Sequence, residues 1–353
     1  SGKSTVTGMI GWIAAEAGRD PTIMNGAVMK NFAGDDAPFA SSRVGSGGLF
    51  VSEVDESDGS IALFTPEVAV LNNVSLDHKS LEELRQLFGD FAAKADVAIW
   101  NADDAESRAL IVARPPARAV SFGLTEDADV RASAIEEAPF SVVFTLTADG
   151  ESHRVALKVP GRHNVMNALA AIAAAREAGV PLTEAARAIE GFAGLKRRFE
   201  LVGQRGEGTD AITIIDDFGH NPEKIAATLA TLKAFPGRIL AFFQPHGYGP
   251  LKVMGEELAA MFAETLGPDD RLILCDPVYF GGTTERSIGS GVIAGRINTL
   301  ARRTGANPLA EHIPDRQDCG ERLKELMQPG DRVVVMGARD DSLSAFARRL
   351  LDG

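Results

Sequence analysis

The chain has 353 residues, 45% of them apolar and 24% charged, and carries a net charge of −13. That length suggests two or three cores, and the composition is that of a globular protein. The acidic balance excludes a broad nucleic-acid or anionic-membrane surface, so an anionic ligand has to be held by local devices. No apolar run approaches the ~20 residues that span a bilayer, and the two cysteines, Cys275 and Cys319, point to a reducing, cytoplasmic setting.

The chain opens on Ser1-Gly2-Lys3-Ser4-Thr5, the downstream half of a phosphate-binding loop of the type G-x-x-x-x-G-K-[ST]. The spacing of Met9, Ile10, Ile13 and Ala14 predicts a helix from Val6 to Ala17, which puts Gly2, Lys3, Ser4 and Thr5 at a helix N-terminus suited to phosphate. The first glycine of such a loop and the strand feeding it are expected upstream of Ser1. Leu49–Val54 reads as a strand delivering Asp55-Glu56-Ser57-Asp58 to its C-terminal end, as metal ligands or as a solvated turn. Val68–Asn73 is a second strand, followed by Asp77-His78; Leu81–Ala95 has helical spacing and Val97–Asn101 is a third strand. Alternating strands and helices imply a parallel sheet whose loops share one edge, where Lys3, Ser4, Glu56 and His78 can converge.

Residues 118–160 alternate differently. Ser141–Leu146 and Arg154–Val159 flank Asp149-Gly150, a hairpin signal, so a small antiparallel sheet is expected beside the parallel one. Pro160-Gly161-Arg162-His163-Asn164 then enters an Ala-rich helix ending at Ala178, with His163 and Asn164 readable as caps or as ligand contacts. Strands at Ile212–Ile215, Ile239–Phe243, Leu272–Cys275 and Val333–Met336 alternate with helices at Pro222–Phe235, Leu251–Thr265, Ile293–Arg303 and Ser342–Leu351. That is a second α/β unit with its own core. We place the boundary after Leu195, giving domains 1–195 and 196–353. The Cys275 to Gly282 stretch reads as a loop, either facing a substrate or simply on the surface.

Taken in order, these motifs resemble the Mur ligase family of ATP-dependent amide ligases. The residues that carry the resemblance are Gly2-Lys3-Ser4-Thr5, Glu53 to Asp58, Asn73 to His78 and Pro160 to Leu169, followed by Lys196-Arg197-Arg198-Phe199-Glu200, Asp216 to Pro222 and Gln244-Pro245-His246. The resemblance implies a P-loop ATPase domain with a mostly parallel sheet, then a Rossmann-like α/β domain that brings the amino acid. It also implies a UDP-sugar domain upstream of this sequence. The implied reaction of peptidoglycan precursor synthesis joins an amino acid, L-alanine in the most similar branch, to UDP-N-acetylmuramate through an acyl-phosphate. Two alternatives stay open: a recycling ligase that adds an intact murein peptide, and a non-ligating ATP-binding scaffold.

By the same resemblance Lys3 holds the outer phosphates of ATP, Ser4 and Glu56 bind one Mg²⁺ and His78 a second. Asn164 and Asn167 contact adenine, Arg198 reaches phosphate and Asp217 the ribose. Arg198 and Asp217 lie past the boundary, so nucleotide binding is expected to couple to domain closure. His220, His246 and Lys252 are expected substrate contacts, with His246 equally readable as structural. The segment Gln244 to Lys252 lacks the arginines usual in that branch, and Phe218 stands where it has a tyrosine. Neither nucleic acid nor membrane is an expected partner, and a monomer or weak homodimer is expected.

Overall fold

The computed structural model describes residues 2–56, 59–74, 80–277, 288–303, 309–338 and 340–352, with the side chain of Arg303 left out. The chain divides into two compact units, Ser1–Leu195 and Lys196–Gly353.

The first unit begins with α1 (Lys3–Glu16) and continues through β1 (Thr22–Met24), β2 (Ser42–Arg43), β3 (Phe50–Ser52), a single 3-10 turn at Ser60–Leu63 and β4 (Val68–Leu71). Next come α2 (Leu81–Lys94), β5 (Val97–Asn101), α3 (Ala105–Ala113) and β6 (Ala119–Gly123). The unit closes with β7 (Val130–Ala138), β8 (Ser141–Ala148), β9 (Glu151–Leu157), α4 (Arg162–Glu177) and α5 (Leu182–Ile189). Strands β4 to β9 form one six-stranded sheet in sequence order, and β2-β1-β3 form a separate three-stranded one. The large sheet changes character at β7: β4 through β7 pair parallel, and β7, β8 and β9 pair antiparallel. The expected antiparallel segment is thus an extension of the parallel sheet.

Local chemistry explains most of these elements. At the β8–β9 turn Asp149 and Gly150 have φ of 51° and 81°, the paired left-handed geometry that a two-residue hairpin needs. Helix α2 is started by a capping box in which the Ser80 hydroxyl accepts from Glu83 N while the Glu83 carboxylate accepts from Ser80 N. Strand β8 alternates, with Val142, Phe144, Leu146 and Ala148 buried on one face. Helix α4 packs against α1, α5 and the large sheet, and its alanines at 170, 171, 173, 174 and 175 are all buried. Small side chains there let three layers meet, and Val6, Met9 and Ile13 of α1 share one core with Phe122, Phe144 and Leu169.

The second unit runs β10 (Glu200–Arg205), β11 (Ile212–Asp217), α6 (Pro222–Lys233), β12 (Ile239–Gln244), α7 (Tyr248–Thr265) and β13 (Arg271–Leu274). It ends with α8 (Ser290–Arg303), β14 (Ala310–His312), α9 (Arg316–Leu326), β15 (Arg332–Gly337) and α10 (Ser342–Arg349). Its sheet order is β10-β11-β15-β12-β13-β14, parallel except for β10. Every residue of β11, β12 and β15 is buried, as the near-continuous apolar runs of central parallel strands require. Strand β15 inserts between β11 and β12, so the order of strands along the chain reverses there, the kind of switch point at which open α/β sheets form a crevice at the C-terminal ends of their strands.

The two faces of β8 differ in burial, which gives a direct check on the core. Phe144→Ala should destabilise the first unit by ~3–5 kcal/mol, whereas Thr145→Ala on the opposite face should stay within ~0.5 kcal/mol. Native-state hydrogen exchange of the β7–β9 amides measures both.

Candidate active site

The phosphate-type turn lies at the head of α1. Gly2 precedes the helix with φ 82°, and Val6 N makes the first helical bond to its carbonyl at 3.0 Å. No side chain caps this terminus and no acid lies in its first turn, so its N–H groups and dipole leave a local positive end. Strand β3 lies in the small sheet of the same unit, and the loop after it carries Asp55 and Glu56 to Lys3. The Lys3 ammonium donates to Glu56 Oε2 at 2.5 Å and to Asp55 Oδ1 at 3.0 Å. Burial pulls the Lys3 pKa down, but the hydrogen bonds and charges of Glu56 and Asp55 outweigh it, so the group lies above its ordinary value and stays charged.

Lys3 and Glu56, separate in sequence, are therefore in contact, and Asp55 is a second partner that the sequence did not single out. Ser4 is buried in the first turn, and Thr5 follows it on the helix. His78 lies outside the described residues, as do Ser57, Asp58 and Asp77. Among the described residues no group of three His, Cys, Asp or Glu side chains could hold a metal ion. A cavity of about 470 Å³ opens at Lys3 and Glu56 and runs between β3 and β4, outer strands of the two sheets.

Asn164 and Asn167 lie in the first turns of α4, and their amides run beneath this turn. Asn164 Nδ2 donates to Pro160 O at 2.7 Å, Asn167 Nδ2 to Asn164 Oδ1 at 3.1 Å, and Asn72 Nδ2 to Asn167 Oδ1 at 2.9 Å. Both α4 asparagines are buried, so the expected adenine contacts are engaged inside the protein.

In the second unit Arg197, with φ 58°, turns its guanidinium inward: Nε meets Asp216 Oδ1 at 3.3 Å, one terminal nitrogen donates to Gly337 O at 2.7 Å and the other to Asp340 O at 3.0 Å. Asp217 is also buried. Its carboxylate accepts from Phe199 N at 2.8 Å, Gly219 N at 2.9 Å and the Thr228 hydroxyl at 2.8 Å. Asp217, the expected ribose contact, also anchors its own unit: the backbone at Phe199, left-handed at φ 49°, buries an N–H that needs an acceptor.

The crevice edge carries a run of rings. Arg198 lies over Phe218 with its guanidinium carbon 4.5 Å from the ring centroid, His220 packs edge-on at 5.4 Å from Phe218, and His246 follows at 5.2 Å from His220. Two of the expected substrate residues, His220 and His246, are therefore adjacent, while Lys252 is exposed on α7. An arginine of α9 that the sequence did not single out also lies at these strand ends. Arg316 donates to Asp340 Oδ2 at 2.6 Å and to the Ser342 hydroxyl at 2.9 Å, and Gln244 Nε2 donates to the same Asp340 oxygen at 3.0 Å. Burial pushes the Asp340 carboxyl up, but hydrogen bonds from Ser342 and Gln244 and the Arg316 charge hold it below the ordinary range. Residues 278–282 of the Cys275–Gly282 loop lie outside the described residues.

A helix N-terminus bearing a lysine and a hydroxyl, set in an α/β unit and followed by a second α/β unit with a switch-point crevice, defines a two-domain, P-loop-type architecture. The descriptions "Mur ligase middle domain" and "Mur ligase, glutamate ligase domain" match residues 1–175 and 197–339. The UDP-N-acetylmuramate–L-alanine ligase of Syntrophotalea carbinolica is 33% identical over 346 residues, covering 96% of this chain and 71% of that one. The ligase of the same name from Clavibacter sepedonicus is 36% identical over 348 residues, covering 96% and 68%. The solved UDP-N-acetylmuramate–alanine ligase of Thermotoga maritima superposes with TM-score 0.75 at 24% identity, covering all of this chain and 73% of that one. A murein peptide ligase from Psychrobacter arcticus superposes with TM-score 0.68 at 25% identity, covering all of this chain and 75% of that one. The chain belongs to the Mur ligase family. No helix among the described residues is long and apolar enough to cross a membrane.

The Asp216 carboxyl generates a pH-dependent prediction. Burial pushes it up to about 6 from an ordinary 3.8, against the lowering effects of Arg197 and Ser344. Folding then favours the protonated form, a stabilisation that is full below about pH 4 and lost as the pH rises through 6. Asp216→Asn does not titrate, so between pH 4.5 and 7.5 its stability should rise relative to wild type by about 2 kcal/mol, read from paired urea melts.

Proposed function

We propose that the chain is an ATP-dependent amide ligase that joins L-alanine to UDP-N-acetylmuramate. The observation that carries this reading is Lys3, held at the head of α1 by Glu56 and Asp55, in a chain of the Mur ligase family. Lys3 and the α1 N-terminus bind the β- and γ-phosphates of ATP and orient the terminal phosphorus for in-line attack. A substrate carboxylate oxygen bonds to that phosphorus as the bridging oxygen leaves with ADP. The amine nitrogen of the acceptor then attacks the acyl carbon, phosphate departs, and the amine loses a proton.

Ser4 and Glu56 offer a hydroxyl and a carboxylate beside Lys3, the hard oxygen donors that suit Mg²⁺, and His78 completes the proposed set. When bound, the ion neutralises phosphate charge. In the second unit, His220 and His246 line the place for the acceptor, and Arg316 supplies the guanidinium that recognises its carboxylate. Lys252 is retained as an outer contact and Arg198 as a phosphate contact. Asn164 and Asn167 are the proposed adenine contacts and Asp217 the proposed ribose contact, each held in place by hydrogen bonds within its own unit. The sequence departure after His246 favours testing a second acceptor class, an intact murein peptide, beside L-alanine.

The test is phosphate release by the full-length protein with ATP, Mg²⁺ and UDP-N-acetylmuramate against a panel of amino acids and murein peptides. Release should require UDP-N-acetylmuramate and rise most with L-alanine. Peptide-only stimulation would reassign the acceptor, and the absence of any release would leave a non-ligating scaffold. Lys3→Ala should lower turnover by about 10²–10³-fold, the scale of losing one preorganised charge at a reacting group. Arg316→Ala should raise the KM for the amino acid at least about tenfold while leaving that for ATP within about twofold. A variant equally impaired for both substrates would show that Arg316 only supports the fold.

A further inference from the structure

The segment that follows β1 runs beside α1 and is tied at both ends. At its near end Asn25 Nδ2 donates to Ser4 O at 3.0 Å, in the first turn of α1, while Asn25 Oδ1 accepts from Ala27 N at 3.1 Å. Gly26 N donates to Glu53 Oε2 at 2.7 Å, just upstream of Asp55 and Glu56. The near end therefore grips both the phosphate-type turn and the acidic loop that reaches Lys3. At the far end Met29 bridges to Leu195, and Lys30 N donates to Gly194 O at 3.2 Å. Asn31 closes this end with a two-point clamp: Nδ2 donates to Gly191 O at 2.9 Å and Oδ1 accepts from Ala193 N at 2.8 Å. Its partners are backbone groups of opposite polarity, so the Asn31 amide has one workable orientation. Gly8 of α1 lies between the two ends. A Cβ there would come 3.2 Å from Asn25 Nδ2 and 3.0 Å from Leu195 Cδ2, so the helix and both ends of the segment pack closely together.

We propose that Asn31 is a positioning residue that holds residues 25–31 in place between the phosphate-binding turn and the 191–195 loop, so that a ligand on the turn also orders that loop. The loop is the last stretch of the first unit before Lys196. The tie is one contiguous, hydrogen-bonded segment with a defined partner at each end, which is what energetic coupling between separated places requires. Linkage makes the effect reciprocal: whatever order a ligand adds to the loop, order in the loop adds to ligand affinity. The printed partners of Asn31 are Gly191 and Ala193, so a loss of ligand affinity in an Asn31 variant has to arrive through the segment. The ligand part of this inference rests on the nucleotide-binding reading above; the mechanical tie does not.

The experiment follows single amides by hydrogen exchange in the full-length protein, wild type and Asn31→Ala. Lys30 N and Gly26 N report the two ends, because neither bond involves the Asn31 side chain. Without ligand, Asn31→Ala should speed exchange at both by at least about fivefold, while the amides of β8 keep the wild-type rate. Unchanged exchange at Gly26 would overturn the tie whether or not a nucleotide binds. With saturating ADP and Mg²⁺, wild-type exchange at Lys30 N should slow at least about fivefold, and Asn31→Ala should bind ADP and inorganic pyrophosphate each about fivefold more weakly. Unchanged affinity in the variant, or ADP that protects Val6 N in the α1 turn yet leaves Lys30 N within about twofold, would overturn the coupling. Wild-type protein that binds neither ligand would count against the nucleotide reading alone, because the ligand-free comparison still decides the tie. Asn31→Asp, which keeps the acceptor for Ala193 N and loses the donor to Gly191 O, repeats both measurements should Asn31→Ala fail to fold.

Discussion

A chain with a net charge of −13 that handles a polyphosphate has to concentrate positive potential in one small volume, and the head of α1 is where this is done. Three contributions coincide there: the N–H groups of the first turn, a helix dipole with no acid in that turn, and the Lys3 ammonium, against which the Asp55 and Glu56 carboxylates are set. Glu56 and Asp55 hold the lysine charged and in place. The rest of the first unit serves this geometry: α4 packs its alanines under α1, and the ends of β4 and β5 supply the amides behind Gly2.

The second unit obeys a different constraint. Its strands β11, β15 and β12 are buried throughout, and at their C-terminal ends Asp216, Asp217, Gln244 and Asp340 gather. Most of that polarity is spent internally. Asp216 neutralises Arg197, Asp217 satisfies backbone N–H groups, and Asp340 ties Gln244 to Arg316. At the same ends Arg198, Phe218, His220 and His246 form a run of stacked and edge-on rings.

The α/β class and its mixed sheet were legible because β-branched runs, Asp149-Gly150 and the Ala-rich α4 each carry a strong local signal. Helices α3 and α5 and strand β10 were not read. Strand β10 is a half-buried edge with a bulge between Leu201 and Gly203, so neither burial nor alternation marks it. Strand β9 starts at Glu151, three residues before the apolar run that suggested it, because the tight turn fixes the pairing from its first residue. At the site, Lys3 and Glu56 meet as expected, although Glu56 follows β3 of the small sheet and not a strand of the large parallel one. Asn72 and Arg316 could not: their partners Asn167 and Gln244 are 95 and 72 residues away, and an isolated amide or arginine announces no partner. The internal partners of Asp217 were equally out of reach, since a strand-end acid gives no sign of the left-handed backbone at Phe199 whose N–H it accepts.

The short stretch between the units has a mechanical meaning. Leu195 belongs to the core of the first unit and bridges to Met29, while Arg197 is clamped in the second by Asp216, Gly337 and Asp340. Both flanks are pinned within one residue of Lys196. Whatever arrangements the two units adopt, the torsional freedom that separates one from another is therefore confined to very few backbone angles around Lys196. Such a joint is short, and it has little backbone entropy of its own to lose.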